Sequence, residues 1–181
     1  MVNLKQADNV RILGVDPGLQ ITGYGIIESD GRSSRFIDSG NIRAIKSKTN
    51  VGMPKRLGLI FSKLTEAIKK YQPDELAIEE IFISRNASSA LKLGHARGAA
   101  ISAAVQCGIP VSEYSARSVK QAVVGSGAAN KEQIQHMVLR LLALRGALQA
   151  DEADALAVAL CHAHTALVGS NRLANYAKSF A

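Results

Sequence analysis

Two short apolar runs in this chain each end on a carboxylate, and this placement constrains the fold more than any other feature. Asp16 ends the run from 10 to 15, and Glu79 ends the run from 76 to 78. Apolar runs of this length, bounded by turn residues, are typical of buried strands. If the two strands lie side by side in one sheet, we expect their terminal acids to be neighbours.

Two further acids open a long apolar helix. Asp151 and Asp154 are three residues apart, and residues at that spacing share one face of a helix. Carboxylates crowded at one place repel each other, so such a cluster persists mainly when divalent cations neutralise it. Oxygen ligands of this kind favour Mg²⁺ or Mn²⁺ over zinc, and paired Mg²⁺ ions around a phosphate form a phosphodiester-cleaving site.

Simpler interpretations of the same residues remain open at this point. Asp16-Pro17-Gly18 is also typical of an ordinary tight turn, and it is similar to the phosphate loop of sugar kinases and actin-like ATPases. Asp151 and Asp154 are also the kind of N-terminal charges that complement a helix dipole. The residue pattern alone therefore does not select these four acids from the 15 Asp and Glu in the chain.

The length, composition and charge favour one cytoplasmic domain with a polyanionic partner. The chain has 181 residues, 47% hydrophobic, which is enough for a core without disulfides. No apolar run reaches the roughly 20 residues that cross a bilayer, and residues 1–9 hold no apolar signal-peptide core. The chain has only two cysteines, which favours a reducing cytosol. The net charge of +7 serves solubility, but it is also typical of nucleic-acid binding.

Apolar periodicity and turn residues predict ten elements in the order β-β-β-α-β-α-β-α-α-α. The first three strands are joined by short links and must form an antiparallel meander, and two strand–helix–strand crossovers follow. This order predicts an α/β fold, a ribonuclease-H-like five-stranded mixed sheet flanked by helices. We expect one domain from 10 to 168, a flexible lead of 1–9 and a frayed tail of 169–181. The predicted strands are 10–16, 21–28, 34–45, 76–79 and 109–114, and the predicted helices are 54–72, 88–106, 116–124, 130–144 and 151–168.

Several stretches together resemble one family, the bacterial Holliday-junction resolvase RuvC. They are Ile12-Leu13-Gly14-Val15-Asp16-Pro17-Gly18, Thr22-Gly23-Tyr24-Gly25, Ala77-Ile78-Glu79, Ala90-Leu91-Lys92-Leu93-Gly94, Ala96-Arg97-Gly98, Val119-Lys120-Gln121 with Val123-Val124-Gly125, and Asp151-Glu152-Ala153-Asp154-Ala155-Leu156-Ala157. The resemblance covers roughly residues 10–168. It implies a homodimer that binds four-way DNA junctions and nicks two opposed strands in recombination and repair, leaving 5′-phosphate and 3′-hydroxyl ends. A branch-migration motor complex is implied as a further partner.

The resemblance also assigns roles to particular residues. Its four catalytic and metal-binding acids fall on Asp16, Glu79, Asp151 and Asp154, which implies two Mg²⁺ ions per site, with Mn²⁺ as a substitute. Glu80 and Glu152 should point away from the site, because neighbouring positions on a strand or a helix face in different directions.

Five residues outside the acid cluster are expected to contact DNA. Lys120 and Lys131 match two lysines that the family uses beside the scissile strand, where a cation contacts phosphate or developing charge. Phe82 matches an aromatic residue that stacks at the junction centre, and Arg85 and Asn86 lie in the same loop. The simpler interpretations are solvated lysines and a core phenylalanine.

Two alternative functions remain, and each has a discriminating observation. A non-catalytic junction-binding module would be expected to lose one or more of the four acids, and all four are present. An actin-like ATP phosphotransferase needs two copies of the fold to enclose its nucleotide, and this chain has one. The helix over 88–106 is rich in small residues, which suit either packing on the sheet or, by the resemblance, a dimer interface.

Overall fold

The computed structural model describes residues 9–43, 52–80 and 87–178, with side chains as far as residue 165. Five strands form one sheet in the order β3-β2-β1-β4-β5. The first three strands pair with one another in antiparallel fashion, whereas β4 joins β1, and β5 joins β4, as parallel strands. The predicted mixed sheet is therefore confirmed. Its strands are β1 (Val10–Asp16), β2 (Ile21–Ser29), β3 (Ser34–Arg43), β4 (Glu75–Glu79) and β5 (Val111–Tyr114).

Five helices flank this sheet, and most begin and end close to their predicted limits. Ser115 and Asn130 accept from backbone N–H groups as N-caps of the third and fourth helices, and Asn130 belongs to a full capping box. The last helix runs to Lys178 rather than to residue 168, so part of the predicted tail has helical backbone. The helices are α1 (Met53–Tyr71), α2 (Ala87–Gln106), α3 (Ala116–Val124), α4 (Lys131–Leu141) and α5 (Ala150–Lys178).

The sheet separates two apolar cores because its strands alternate their side chains between two faces. On one face, Ile12 and Ile27 pack with buried residues of α3, α4 and α5. On the other face, Leu13 and Ile26 pack with buried residues of α1 and α2. Among the described residues, no helix is both long enough and apolar enough to cross a membrane.

Helix α5 lies very close to β1 and β2, and two glycines make this approach possible. A Cβ atom added at Gly14 would lie 2.1 Å from the backbone oxygen of Ala155, and one added at Gly23 would lie 2.0 Å from that of Asp151. Any side chain at these positions would push the helix off the sheet. The glycines therefore set the position of the first turns of α5, which carry Asp151 and Asp154.

Candidate active site

Asp16 is the last residue of β1 and leads into a tightly held turn. The hydroxyl of Thr22 donates to the backbone oxygen of Gly18 at 2.7 Å and accepts from the Gly18 amide at 3.3 Å. A Cβ atom at Gly18 would lie 2.0 Å from the backbone oxygen of Ile21, so only glycine fits this bend. Asp16-Pro17-Gly18 is thus a real turn, and that turn holds the acid at the edge of the sheet.

Three elements bring acids to this edge. Strands β1 and β4 are parallel and Val15 pairs with Ile78, so the residues that follow, Asp16 and Glu79, are neighbours at the carboxyl ends of their strands. Asp16 also pairs with Gly23 on β2, and the backbone of Asp151 lies directly over that glycine. The fold therefore brings Asp16, Glu79 and the start of α5 together, as the predicted topology requires.

The crowding of these acids is visible in their electrostatics. Burial, followed by the charges of Asp154, Glu79 and Asp151, raises the pKa of Asp16 from 3.8 to about 7, while Lys131 opposes the rise. Burial and the charge of Asp154 also raise the pKa of Glu79, against the effect of Lys131 and Lys120. The three other acids therefore each act on Asp16, which is mostly buried, and this is the environment that a bound cation stabilises.

The donor set fits a hard divalent cation, because it consists of carboxylate oxygens delivered by two strands and one helix. In the part of the chain that the structure describes, no three His, Cys, Asp or Glu side chains already stand in an arrangement that could hold an ion.

Lys131 and Lys120 lie beside the acids. The ammonium group of Lys131, at the first position of α4, lies 3.4 Å from Oδ2 of Asp154, and that charge raises the pKa of the lysine. The Lys131 side chain is 82% exposed, so this ion pair adds little to stability and leaves the cation free to meet a ligand. Lys120 on α3 is half-buried, and it acts on Glu79.

A polar network beside the acids was not predicted from the sequence. Asn41 on β3 donates to Oε1 of Glu152 at 3.1 Å and to Oε1 of Gln149 at 2.8 Å, and Ser39 donates to Oε2 of Glu152 at 3.3 Å. These bonds tie the start of α5 to the edge strand. Glu152 is therefore turned towards β3. Helical spacing predicts that it points away from Asp151, but no local pattern in the sequence predicts its partner Asn41.

The remaining predicted DNA contacts, Phe82, Arg85 and Asn86, lie outside the described residues. Their roles stay predictions. Glu80, just before that segment, is exposed.

A ribonuclease-H-like sheet with four interacting acids at one edge defines a nuclease of the kind that uses metal ions on phosphodiesters. The family model "Crossover junction endodeoxyribonuclease RuvC" matches residues 12–162, and the chain belongs to this family of metal-dependent nucleases. A relative of that name from Photobacterium profundum is 58% identical over 154 residues, covering 85% of this chain and 87% of the relative.

Solved structures agree with this assignment. The RuvC of Thermus thermophilus in complex with Holliday junction substrate is 33% identical, with a TM-score of 0.81, and the match covers 88% of this chain and 96% of that one. The yeast mitochondrial Holliday junction resolvase Ydc2 has a TM-score of 0.68 at 15% identity over 95% of this chain and 85% of its own, and so shares the fold.

Proposed function

We propose that this protein resolves Holliday junctions in the cytoplasm during recombination and repair, by paired, symmetric nicks in opposed strands. The observation that carries the proposal is the meeting of Asp16, Glu79, Asp151 and Asp154 at one edge of the sheet, where the other three acids each raise the pKa of Asp16. The junction-bound T. thermophilus relative supports the choice of substrate.

The four acids are the proposed ligands of two Mg²⁺ ions, for which Mn²⁺ could substitute. When bound, such a pair supplies an activated water for in-line attack and stabilises the departing 3′ oxygen, which gives 5′-phosphate and 3′-hydroxyl ends. Asp16 must lose its proton to serve as a ligand, and its raised pKa means that this proton is still partly present near neutral pH.

Basic residues beside the acids are proposed to hold the scissile strand. Lys131 can leave its long contact with Asp154 and meet a phosphate oxygen, because its side chain is largely in solvent. Lys120 contributes positive charge on the Glu79 side of the site. Phe82 is proposed to stack on an unpaired base at the junction centre, with Arg85 and Asn86 contacting DNA nearby.

Symmetric nicking requires two sites, so we propose a homodimer with α2 at its interface. Positions of the missing Cβ atoms at Gly94 and Gly98 have no atom within 4 Å, and Leu91 and Val105 on the same helix are 64% and 65% exposed. A small, partly apolar face of this kind allows a second copy to approach closely. A branch-migration motor complex is the proposed further partner.

A synthetic four-way junction tests the function directly. We expect nicks at symmetric positions in two opposed strands with Mg²⁺, and binding without nicking in chelator. Binding that never leads to nicking would instead identify a junction-binding module, and ATP hydrolysis in the absence of DNA would favour a phosphotransferase.

A further inference from the structure

A groove lies between β3 and α1, on the side of the sheet away from α5. It has a volume of about 660 Å³, and its described lining includes Ile42, Leu59 and Ala67 as an apolar floor. We call it the β3–α1 groove. None of the four acids of the proposed metal site is among the residues that line it.

The groove is lined by a row of cations. Lys55, Lys63 and Lys70 lie on α1 at intervals of eight and seven residues, which places them along one face of the helix. Arg43 at the end of β3 also lines the groove, although its guanidinium group is bonded to Gln149. Glu66 is the one carboxylate among the described lining residues, and it pairs with Lys63 at 2.6 Å. The balance of charge therefore suits an extended polyanion.

The polar groups beneath the cations are already bonded to one another. The hydroxyls of Tyr24 and Tyr71 both donate to Oδ2 of Asp38, and the ammonium of Lys70 lies 4.4 Å from the centre of the Tyr71 ring. These bonds satisfy the Asp38 carboxylate within the protein. Lys70 also donates to the Tyr71 hydroxyl and Lys63 pairs with Glu66, but the side chains of Lys55, Lys63 and Lys70 are exposed at the rim and can meet a ligand.

One end of the groove reaches the candidate active site. Arg43 pairs with Ile21 across the sheet, at the start of β2 where the turn that follows Asp16 ends. Arg43 also donates to Oε1 of Gln149 at 2.7 Å, immediately before α5 and its acids. From this end the lysines of α1 lead away along the helix, so a ligand in the groove would extend outwards from the point of cleavage.

The dimensions match a DNA backbone. Lys55 and Lys70 are 15 positions apart on α1, which corresponds to about 22 Å of helix at 1.5 Å per residue. At about 3.4 Å per phosphate along one strand, this length covers roughly six base pairs. We propose that the β3–α1 groove binds the phosphate backbone of one duplex arm of the junction, beside the strand that is cut. This inference rests on the proposed function, and it adds a binding surface that the acid cluster does not provide.

The test compares two variants that each lose three positive charges. The groove variant carries Lys55→Gln, Lys63→Gln and Lys70→Gln, and the matched control carries Arg32→Gln, Arg140→Gln and Arg145→Gln at exposed positions outside the groove. Affinity for a fluorescent four-way junction is measured in chelator between about 50 and 200 mM salt. The logarithm of affinity falls with the logarithm of salt concentration with a slope of about −0.9 per phosphate contact. If the groove variant loses three contacts, the ratio of the parent's affinity to that of the variant should fall about 40-fold between about 50 and 200 mM salt.

We expect the control to keep a salt dependence close to that of the parent, and both variants to keep its melting temperature. A groove variant with the parental salt slope, or a control with an equally reduced slope, would overturn the inference. Nicking of the junction by the parent in Mg²⁺ is measured in parallel. If the parent does not nick, the proposed function fails; if the parent nicks and the groove variant keeps its slope, only the groove assignment fails.

Discussion

Helices α5 and α2 are both rich in small residues, yet they use them in opposite ways. On α5, Ala155 and Ala159 lie against the site where Gly14 lacks a side chain, so helix and strand meet backbone to backbone. On α2, Ala96 and Ala100 are buried against the core, but Gly94 and Gly98 face open space. Small residues therefore permit close contact but do not identify the element that makes the contact. For α5 the partner is identified by the matching glycines on the sheet.

This difference separates two requirements of the proposed function. Helix α5 has to deliver acids to Asp16 within a fraction of an ångström, which rigid packing on a sheet provides. Helix α2 leaves a surface that a second copy can cover. Substitutions on the two helices and on the strands beneath them should therefore affect different measurements.

The largest expected effect comes from the acids that α5 and β1 bring together. Asp16→Asn keeps the size of the side chain but removes the charge that would hold cations, so nicking of a four-way junction in Mg²⁺ should fall by orders of magnitude. Metal-free junction binding should persist or tighten, because one charge that repels phosphate is lost. Asp151→Asn and Asp154→Asn should behave in the same way. Nicking by Asp16→Asn at the parental rate would reject the mechanism.

The next largest effect is expected at a glycine that packs against α5, compared with a glycine on the open face of α2. In Gly14→Ala the new Cβ would lie 2.1 Å from a backbone oxygen of α5, so helix and sheet must separate, and we expect a loss of about 3 kcal/mol or more. In Gly98→Ala the new methyl meets open space, and better helix propensity should add up to about 1 kcal/mol. Thermal unfolding at low protein concentration measures both. Equal melting temperatures would contradict the packing described for α5.

The pH dependence of stability should report the crowding at Asp16. Its pKa rises from 3.8 to about 7 on folding, so ionisation destabilises the folded chain increasingly between these values. Metal-free Asp16→Asn should therefore match the parent below about pH 4 and be more stable above about pH 7. Each unit of pKa difference corresponds to about 1.4 kcal/mol, so the variant's free energy of unfolding should exceed that of the parent by at most roughly 4 kcal/mol. The difference should be smaller than this limit because Asp16 keeps some solvent contact. A gain of the same size at pH 3.5 would exclude this explanation.

The open face of α2 gives a smaller and more selective effect. In the proposed dimer, Gly98→Glu places like charges near each other, which should weaken association at least about tenfold. Light scattering should then show more of the 19.2 kDa species, while the melting temperature of the dilute protein changes little. Gly58→Glu on α1 is the matched control, because the missing Cβ of Gly58 also meets open space and the change should leave association intact. If the parent protein is monomeric both with and without junction DNA, the proposed homodimer is rejected.

The sequence predicted the parts of this molecule that depend on local pattern. The acids at the ends of β1 and β4 could be placed because strand length and turn residues are local signals, and Asp151 and Asp154 followed from helical spacing. Recognition of these four acids as a set needed the family resemblance. The contact between Lys131 and Asp154, the raised pKa of Asp16 and the bonds from Asn41 to α5 depend on side chains far apart in the chain, and no local pattern predicts them.

Glu152→Gln should have the smallest effect, and it tests how finely the first turn of α5 is positioned. Glu152 is adjacent to Asp151, but its oxygens accept from Asn41 and Ser39 on β3. Glutamine retains a carbonyl oxygen for Asn41, and its amide can donate to the Ser39 hydroxyl, so stability should change by no more than about 0.5 kcal/mol and nicking should stay near the parental rate. Glu152→Ala is the matched control, because it removes both acceptors and should cost about 1 kcal/mol or more. If nicking falls in Glu152→Gln as far as in Asp154→Asn, Glu152 acts as a metal ligand and its bonds to β3 are not its main role.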